Sequence, residues 1–317
     1  MLSSMRASLL KFIPREYFCS QQLLIALLLE WGNNFSAQNM TNASIRSEGL
    51  AAFWQETSAF TTRWFIQLQR RPTTLIAGVL QPLMWLVLFG ALFSYAPAGM
   101  FGEGQTYLQF LAAGIIVFTA FSGALNSGLP LLFDREFGFL NRMLVAPLVS
   151  RFSIVFASAI FIISLSVVQT LAIIGVSVLM GASLPSLSGC GVVAIVLVLL
   201  ILGFTMLSLG LSFAMPGHQE MLAFIFLVNL PLIFSSTALA PLSFMPTWLQ
   251  WVASLNPLSF AIEPVRYVFS HADWAWSSVV LIAPWGNLTI LGAIAFLVGF
   301  AITVAISIRG VLTRGVA

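Results

Sequence analysis

The feature that most constrains this chain is a series of apolar stretches, each long enough to cross a membrane as a helix. A transmembrane helix needs about 20 mostly apolar residues. Six stretches reach that length with no charged residue inside: 73–95, 107–133, 152–180, 190–214, 221–240 and 287–308. Only 7% of the 317 residues are charged, against about 25% in soluble domains. Lipid must therefore cover most of the surface, and the sequence predicts an all-α membrane protein with six transmembrane helices.

The basic residues predict the orientation of these helices. Lipid-embedded chains keep Lys and Arg on the cytoplasmic side. Of 13 basic residues, only Arg266 falls on the opposite side of a six-span arrangement. The other 12 lie before the first stretch, between the second and third, or after the last: Arg6, Lys11, Arg15, Arg46, Arg63, Arg70, Arg71, Arg135, Arg142, Arg151, Arg309 and Arg314. Both termini are therefore expected in the cytoplasm.

The segment before the first stretch divides into two parts. Residues 1–50 are rich in Ser, Asn and Gln and are expected to form a cytoplasmic tail that is partly disordered. Residues 51–310 are expected to form the membrane domain, and residues 311–317 a second cytoplasmic tail. Residues 53–70 place Phe53, Phe60 and Trp64 at helical spacing, which predicts an amphipathic helix lying in the membrane interface. Arg70, Arg71 and the following proline mark the turn into the bilayer.

The spans carry few groups that could do chemistry. Their interiors lack Asp, Glu, Lys, Arg and His, although ion-coupled carriers usually place such groups near the midplane. No Cys, His and carboxylate cluster has metal-ligand spacing. A Walker A loop needs Gly-Lys-Ser/Thr, but the only lysine, Lys11, precedes Phe12. The sequence predicts no catalytic, cofactor or metal site, so energy must come from another chain.

The cytoplasmic loop after the second span is a candidate docking element. Asp134 can cap a short helix, which Pro147 would end. This short helix has an apolar strip flanked by charged residues, which is typical of a surface that binds a partner. The alternative is that the segment is only a turn at the membrane interface that links two spans. The candidate coupling residues are Asp134, Arg135, Glu136, Gly138, Leu140 and Leu144.

The segment between the fifth and sixth stretches is apolar but interrupted by prolines. Five of the nine tryptophans lie there, and Trp favours the membrane–water interface. We expect short helices that re-enter the outer leaflet without crossing it, with Glu263 and Arg266 paired on one face. The residues assigned to this external segment are Trp248, Trp251, Asn256, Pro257, Glu263 and Arg266.

Three motifs give the chain a recognisable family resemblance. The first is Arg70-Arg71-Pro72 with Gln81-Pro82 and Leu88-Phe89-Gly90; the second is Arg135-Glu136-Phe137-Gly138 with Leu144 and Ala146-Pro147; the third is Met245 to Gln250 with Asn256-Pro257-Leu258 and Arg266. On these residues, positions 53–310 resemble an ABC-2 type permease. That family includes drug-resistance, lipo-oligosaccharide and polysaccharide exporters.

The resemblance implies a transport subunit rather than an enzyme. Residues 53–70 would be the connecting helix, and Glu136 to Leu144 the coupling helix in a cleft of the ATPase. Two six-span copies would pair with two ATP-binding subunits, which would hold ATP and Mg²⁺, whereas this chain would bind no cofactor and no nucleic acid. An amphipathic, lipid-like or glycan-type substrate would leave the cytoplasm across a bacterial plasma (inner) membrane, or across a plastid-type membrane as the alternative.

Two other functional classes stay open at the sequence level. An ion-coupled secondary transporter would need no ATPase, but the missing midplane carboxylates count against it. A membrane enzyme or scaffold could use an external site formed by Glu263, Arg266, His271 and Asp273. The simpler interpretation of those four residues is loop solvation and an ion pair.

Overall fold

The chain is mostly helical, as its apolar stretches predict. A computed structural model describes residues 45–70, 72–93, 95, 107–138, 152–181, 186–271 and 273–314. The chain divides into two compact units, Met1–Ala51 and Ala52–Ala317, and the helical bundle belongs to the second. The described helices are α1 (Ile45–Arg70), α2 (Pro72–Leu92), α3 (Tyr107–Asn126), α4 (Leu129–Glu136), α5 (Phe152–Leu179), α6 (Leu187–Ala214), α7 (His218–Phe234), α8 (Thr247–Leu255), α9 (Pro257–Ser270) and α10 (Ile290–Arg314).

Four of the described helical segments are long and apolar enough to span a membrane. They are Tyr107–Glu136, Ser153–Leu179, Leu187–Ala214 and Ile290–Gly310. Two shorter apolar helices, Ile76–Leu92 and His218–Phe234, fall in the first and fifth predicted spans. The membrane class is therefore supported, while the count of six spans stays a prediction.

Helix α3 forms the centre of the bundle. Three quarters of its residues are buried, and it packs against α2, α5, α6 and α9. The contact with the turn after α7 is so close that a Cβ at Gly114 would lie 2.5 Å from the Ala238 carbonyl oxygen. The backbones touch here because glycine leaves no side chain between them.

Two predicted spans contain a departure from a continuous helix, and each departure has a local cause. The second span, predicted as continuous over 107–133, is broken by a turn at Ser127 and Gly128. Pro130 lacks the N–H that would continue the helix, and the Gly128 N–H donates instead to Ser208 Oγ at 3.0 Å. The fifth span, predicted over 221–240, ends at Phe234. Residues 235–240 instead form turns.

The purely α-helical prediction missed a β-hairpin before the last helix. Strands β1 (Val279–Ala283) and β2 (Gly286–Thr289) pair antiparallel, with Ala283 opposite Gly286. Gly286 has φ +141°, a region that favours glycine. Because β2 takes up residues 287–289, α10 begins at Ile290, three residues after the predicted start of the sixth span.

The bundle has two chemically different ends. Helices α4 and α6 finish where α7 begins, since Arg135 bonds the last residues of α6 and Glu136 bonds His218; we call this the basic end. The segment 241–289 lies where α7 finishes and α3 begins, since Asn256 bonds Leu232 and Arg266 bonds Phe110; we call this the aromatic end.

Candidate coupling site and aromatic end

The aromatic stripe of α1 packs against the protein itself. Phe53 lies 5.6 Å from Phe156 between ring centroids, and Trp64 lies 5.8 Å from Phe161, both on α5. Trp64 is only 7% exposed, and Phe60 packs with the cluster around Ile154 and Val155. The amphipathic pattern was predicted, but α5 covers part of the face that was expected to meet lipid.

Asp134 joins the candidate coupling segment to α1. Arg63 Nη2 donates to both carboxylate oxygens of Asp134 at 2.8 Å. The predicted capping role of Asp134 is wrong, because Asp134 lies inside α4 near its C-terminal end. Arg70 is exposed at the end of α1, and Arg71 lies outside the described residues.

Arg135 binds the C-terminal end of α6. Its guanidinium donates to the backbone oxygens of Ser212 at 3.0 Å, Phe213 at 3.3 Å, Met215 at 2.5 Å and Pro216 at 2.9 Å. The last carbonyls of a helix have no partner within it, and arginine carries five donors in a planar fork. Arg135 thus completes the end of α6.

Glu136 binds the N-terminal end of α7. Its Oε1 accepts from the His218 backbone N–H at 2.6 Å, and its Oε2 lies 2.5 Å from His218 Nδ1. A carboxylate at a helix N-terminus satisfies an unpaired N–H and interacts well with the helix dipole. Gly217, the N-cap residue, offers no side-chain cap of its own.

The chain beyond Glu136 turns outward. Phe137 is 81% exposed, and Gly138 adopts φ +72°, where a Cβ would have no atom within 4 Å. Leu140 and Leu144, the remaining candidate coupling residues, lie outside the described residues. Of the predicted coupling set, the structure therefore describes Gly138 and three charged side chains, and each of the three charged side chains binds another part of the chain.

The aromatic end contains the two short helices that the sequence predicts. On α8, Trp248, Trp251 and Leu255 share an exposed face. Asn256 links α8 to α9: its Oδ1 accepts from the Leu258 N–H at 2.9 Å, which caps α9 directly before Pro257. Its Nδ2 donates to Leu232 O at 2.7 Å.

Glu263 and Arg266 form the predicted pair, but they lie inside the protein. Arg266 Nη1 is 2.5 Å from Glu263 Oε1, and the residues are 7% and 8% exposed. Arg266 also donates to Thr237 O at 2.6 Å and lies 3.6 Å from the Phe110 ring centroid. Burial lowers the pKa of Arg266, and the adjacent carboxylate opposes that shift. Since arginine stays protonated in proteins, the contact is an ion pair.

Two cavities open at the aromatic end. Glu263, Arg266 and His271 line one of about 180 Å³, and Asp273 is not among its lining residues. The other, of about 360 Å³, lies between Phe260, Trp285 and Phe296. Ligand pockets usually measure about 300–1,000 Å³, so the first is too small for a typical organic substrate. The proposed external enzyme site gains no support from this geometry.

Sequence reasoning missed His218 as the partner of Glu136, and Ser208 as the partner of the turn between α3 and α4. Ser208 Oγ accepts from the Gly128 N–H and donates to Leu125 O at 2.5 Å, which fixes the break between α3 and α4. His218 stands at the start of an apolar run after Pro216 and Gly217. That position marks a helix N-terminus, but nothing local indicates that Glu136 would cap it.

Comparison with known proteins gives a consistent result. The sequence model of the ABC-2 type transporter family matches residues 55–270. The transport permease ycf38 of Porphyra purpurea is 56% identical over 246 residues, which cover 78% of this chain and 84% of that protein. The ycf38 permease of Cyanophora paradoxa is 52% identical, covering 77% and 86%. The daunorubicin resistance ABC transporter permease protein DrrB1 of Streptomyces coeruleorubidus is 26% identical, covering 76% and 81%.

Proposed function

This chain belongs to the ABC-2 type transporter family, and on that premise we propose that it is the membrane-spanning subunit of an ATP-driven exporter. A separate ATP-binding subunit, which carries ATP and Mg²⁺, supplies the energy. The chain itself lacks a Gly-Lys-Ser/Thr motif, because its only lysine precedes a phenylalanine. Permease subunits of ABC transporters work with such an ATPase, and their role is transport rather than catalysis.

The observation that carries this proposal is the exposed turn at the basic end. Phe137 projects from the end of α4 with most of its surface uncovered, and the charged residues before it hold α4 in place. An exposed aromatic side chain on a fixed support is typical of an interface anchor. The coupling segment is therefore proposed to begin at Asp134 and to contact the ATPase from Phe137 onward, through Gly138, Leu140 and Leu144.

A second copy of the chain is the other proposed partner. Helix α7 exposes Phe226, Leu227 and Phe234, and α2 exposes Ile76 and Leu88. Apolar faces of this size must meet either lipid or another helix. With the two shorter apolar helices counted as spans, each copy would cross the membrane six times.

The proposed cargo is amphipathic, lipid-like or glycan-type, and it moves out of the cytoplasm. The relative from Streptomyces is named for resistance to daunorubicin, which supports an apolar or amphipathic cargo class. For the location we propose a bacterial plasma membrane or a plastid-type membrane, since the relatives above come from a red alga, a glaucophyte and one bacterium.

Affinity purification of the tagged chain from its native membranes tests the ATPase interface. We expect an ABC ATPase to co-purify with the wild-type chain and to be reduced about tenfold by Phe137→Ala, the effect of truncating an interface anchor. The matched control is Trp248→Ala, which removes an exposed aromatic side chain at the opposite end of the bundle. Equal recovery with both variants would place the interface elsewhere.

Reconstitution tests the source of energy. In proteoliposomes that contain the chain alone, we expect no uphill transport of fluorescent lipid analogues or daunorubicin. The co-purified ATPase and ATP should be needed for transport. Uphill transport driven by an ion gradient without the ATPase would refute the proposal.

A further inference from the structure

Two of the residues predicted to couple this chain to the ATPase make hydrogen bonds within their own chain. Arg135 and Glu136 follow each other in sequence, yet one bonds the end of α6 and the other the start of α7. We propose that Arg135 and Glu136 are positioning residues that join the coupling segment to both sides of the α6–α7 connection. The inference rests on the proposed function and adds the route by which movement of the coupling segment reaches α7.

The first step of the argument concerns Arg135. Its guanidinium reaches four backbone oxygens between Ser212 and Pro216. These oxygens belong to the last turn of α6 and to the connection after it, where helix carbonyls lack intrahelical partners. A fork of donors on several acceptors permits little sliding, so the end of α4 and the end of α6 form one rigid part.

The second step concerns Glu136. Its carboxylate bonds both the backbone and the side chain of His218, and His218 is the first residue of α7. The Phe133 ring covers the same imidazole, with 5.2 Å between centroids. Glycine at position 217 leaves room for this contact, because Glu136 Oε1 lies 3.2 Å from where a Cβ at Gly217 would stand. The N-terminus of α7 is therefore held against the C-terminal end of α4 by these contacts.

The third step concerns what holds α7 elsewhere. Five large apolar residues along its length are exposed: Leu222, Phe226, Leu227, Leu230 and Phe234. At its far end, Asn256 donates to Leu232 O and to Ser235 O. Within the described part of the chain, hydrogen bonds thus hold α7 at both ends, while many of the apolar side chains between the two ends are exposed. A displacement of α4 is expected to move α7 as a lever.

The experiment measures movement at the far end of α7. Phe234 is exposed there, so Phe234→Cys, in a chain with both natural cysteines replaced by serine, gives a labelling site. The probe is N-ethylmaleimide, an apolar maleimide that can enter lipid or detergent, and its labelling rate is compared with and without ATP and vanadate on the complex with the co-purified ATPase. In the complex whose coupling segment is unchanged, the labelling rate should change when ATP and vanadate are added.

Glu136→Ala should reduce this change about three- to tenfold, as expected for loss of a partly exposed charged hydrogen bond. Recovery of the ATPase should stay unchanged. Glu136→Gln, whose amide oxygen still accepts from the His218 N–H, should restore most of the response. Glu136→Ala with His218→Ala should be no worse than Glu136→Ala alone, because both remove one interaction. Gln219→Ala, an exposed side chain in the same turn of α7, is the matched control and should have no effect.

Three results would overturn the proposal. Loss of the ATPase with Glu136→Ala would make Glu136 a docking residue. Multiplying effects of Glu136→Ala and His218→Ala would show that the two residues act separately. An unchanged labelling response in Glu136→Ala would show that movement reaches α7 by another route. A wild-type complex without any nucleotide response would instead refute the proposed function, and this inference with it.

Discussion

The replacement of Arg266 by alanine offers the sharpest test of the architecture at the aromatic end. Removing the guanidinium leaves Glu263 as an unpaired carboxylate that is 8% exposed. It also removes the donors to Thr237 O and Phe110 O. Breaking a buried ion pair from one side costs about 3–5 kcal/mol. We therefore expect Arg266→Ala to lower the free energy of unfolding by that amount.

The matched variants separate the buried charge from the lost contacts. In Glu263→Gln the amide oxygen can still accept from Arg266, but the buried guanidinium loses its counter-charge and keeps only neutral partners, so the expected loss is about 1.5–3 kcal/mol. The double variant Glu263→Gln with Arg266→Ala leaves no buried charge, and it should be more stable than Arg266→Ala by about 1–3 kcal/mol. Arg70→Ala, at an exposed arginine at the end of α1, should change stability by less than about 0.5 kcal/mol.

Thermal unfolding of the purified chain in detergent, followed by tryptophan fluorescence, measures these differences. For a domain of this size about 1 kcal/mol shifts Tm by roughly 2–4 °C, so Arg266→Ala should lower Tm by about 6–20 °C. The reasoning fails if Arg266→Ala lowers Tm no more than Glu263→Gln does. It also fails if the double variant loses the sum of the two single effects.

Three further changes probe other contacts. Gly114→Ala places a Cβ against Ala238 O and should lower the free energy of unfolding by about 1–3 kcal/mol in the same thermal assay. The control is Gly191→Ala, whose new Cβ would have no atom within 4 Å. Equal Tm values for the two variants would contradict the close packing at Gly114. Asn256→Ala removes the cap of α9 and the hydrogen bond to Leu232 O. It should also lower the free energy of unfolding by about 1–3 kcal/mol, and an unchanged Tm would show that these hydrogen bonds do not contribute to stability. Arg63→Ala breaks an ion pair whose side chains are 27% and 20% exposed. Because solvent still reaches this pair, the loss of stability should stay below about 1 kcal/mol, and a Tm fall beyond about 4 °C would refute that expectation.

The spans were predictable because the bilayer dictates their length and composition. The predicted starts at 73 and 152 fall within one residue of Pro72 and Phe152, where proline or a basic residue stands at the boundary. The pairing of Glu263 with Arg266 was predictable because the two are three residues apart on one helix. In each case the signal is local in the sequence.

The contacts of the coupling segment were not predictable in the same way. Arg135 binds backbone oxygens of residues 77 to 81 positions away, and a carbonyl oxygen has no sequence signature. Glu136 caps a helix 82 positions away. The hairpin did have a weak signal, since the run from Val279 to Ala283 is bounded by Pro284 and Gly286, a pattern typical of a short strand. It was outweighed by the apolar character of its neighbours.

The hairpin sets the depth at which the last helix can sit in a bilayer. Each strand has only one neighbour in the described sheet, so its outer edge needs water or headgroups, because unpaired backbone groups are not tolerated in hydrocarbon. Helix α10 begins directly after β2 and has 25 residues, which gives a length of about 37 Å. The hydrocarbon layer is about 30 Å thick. A helix that leaves the headgroups at Ile290 therefore reaches the opposite headgroups near Arg309, where its positive charge can meet anionic lipid.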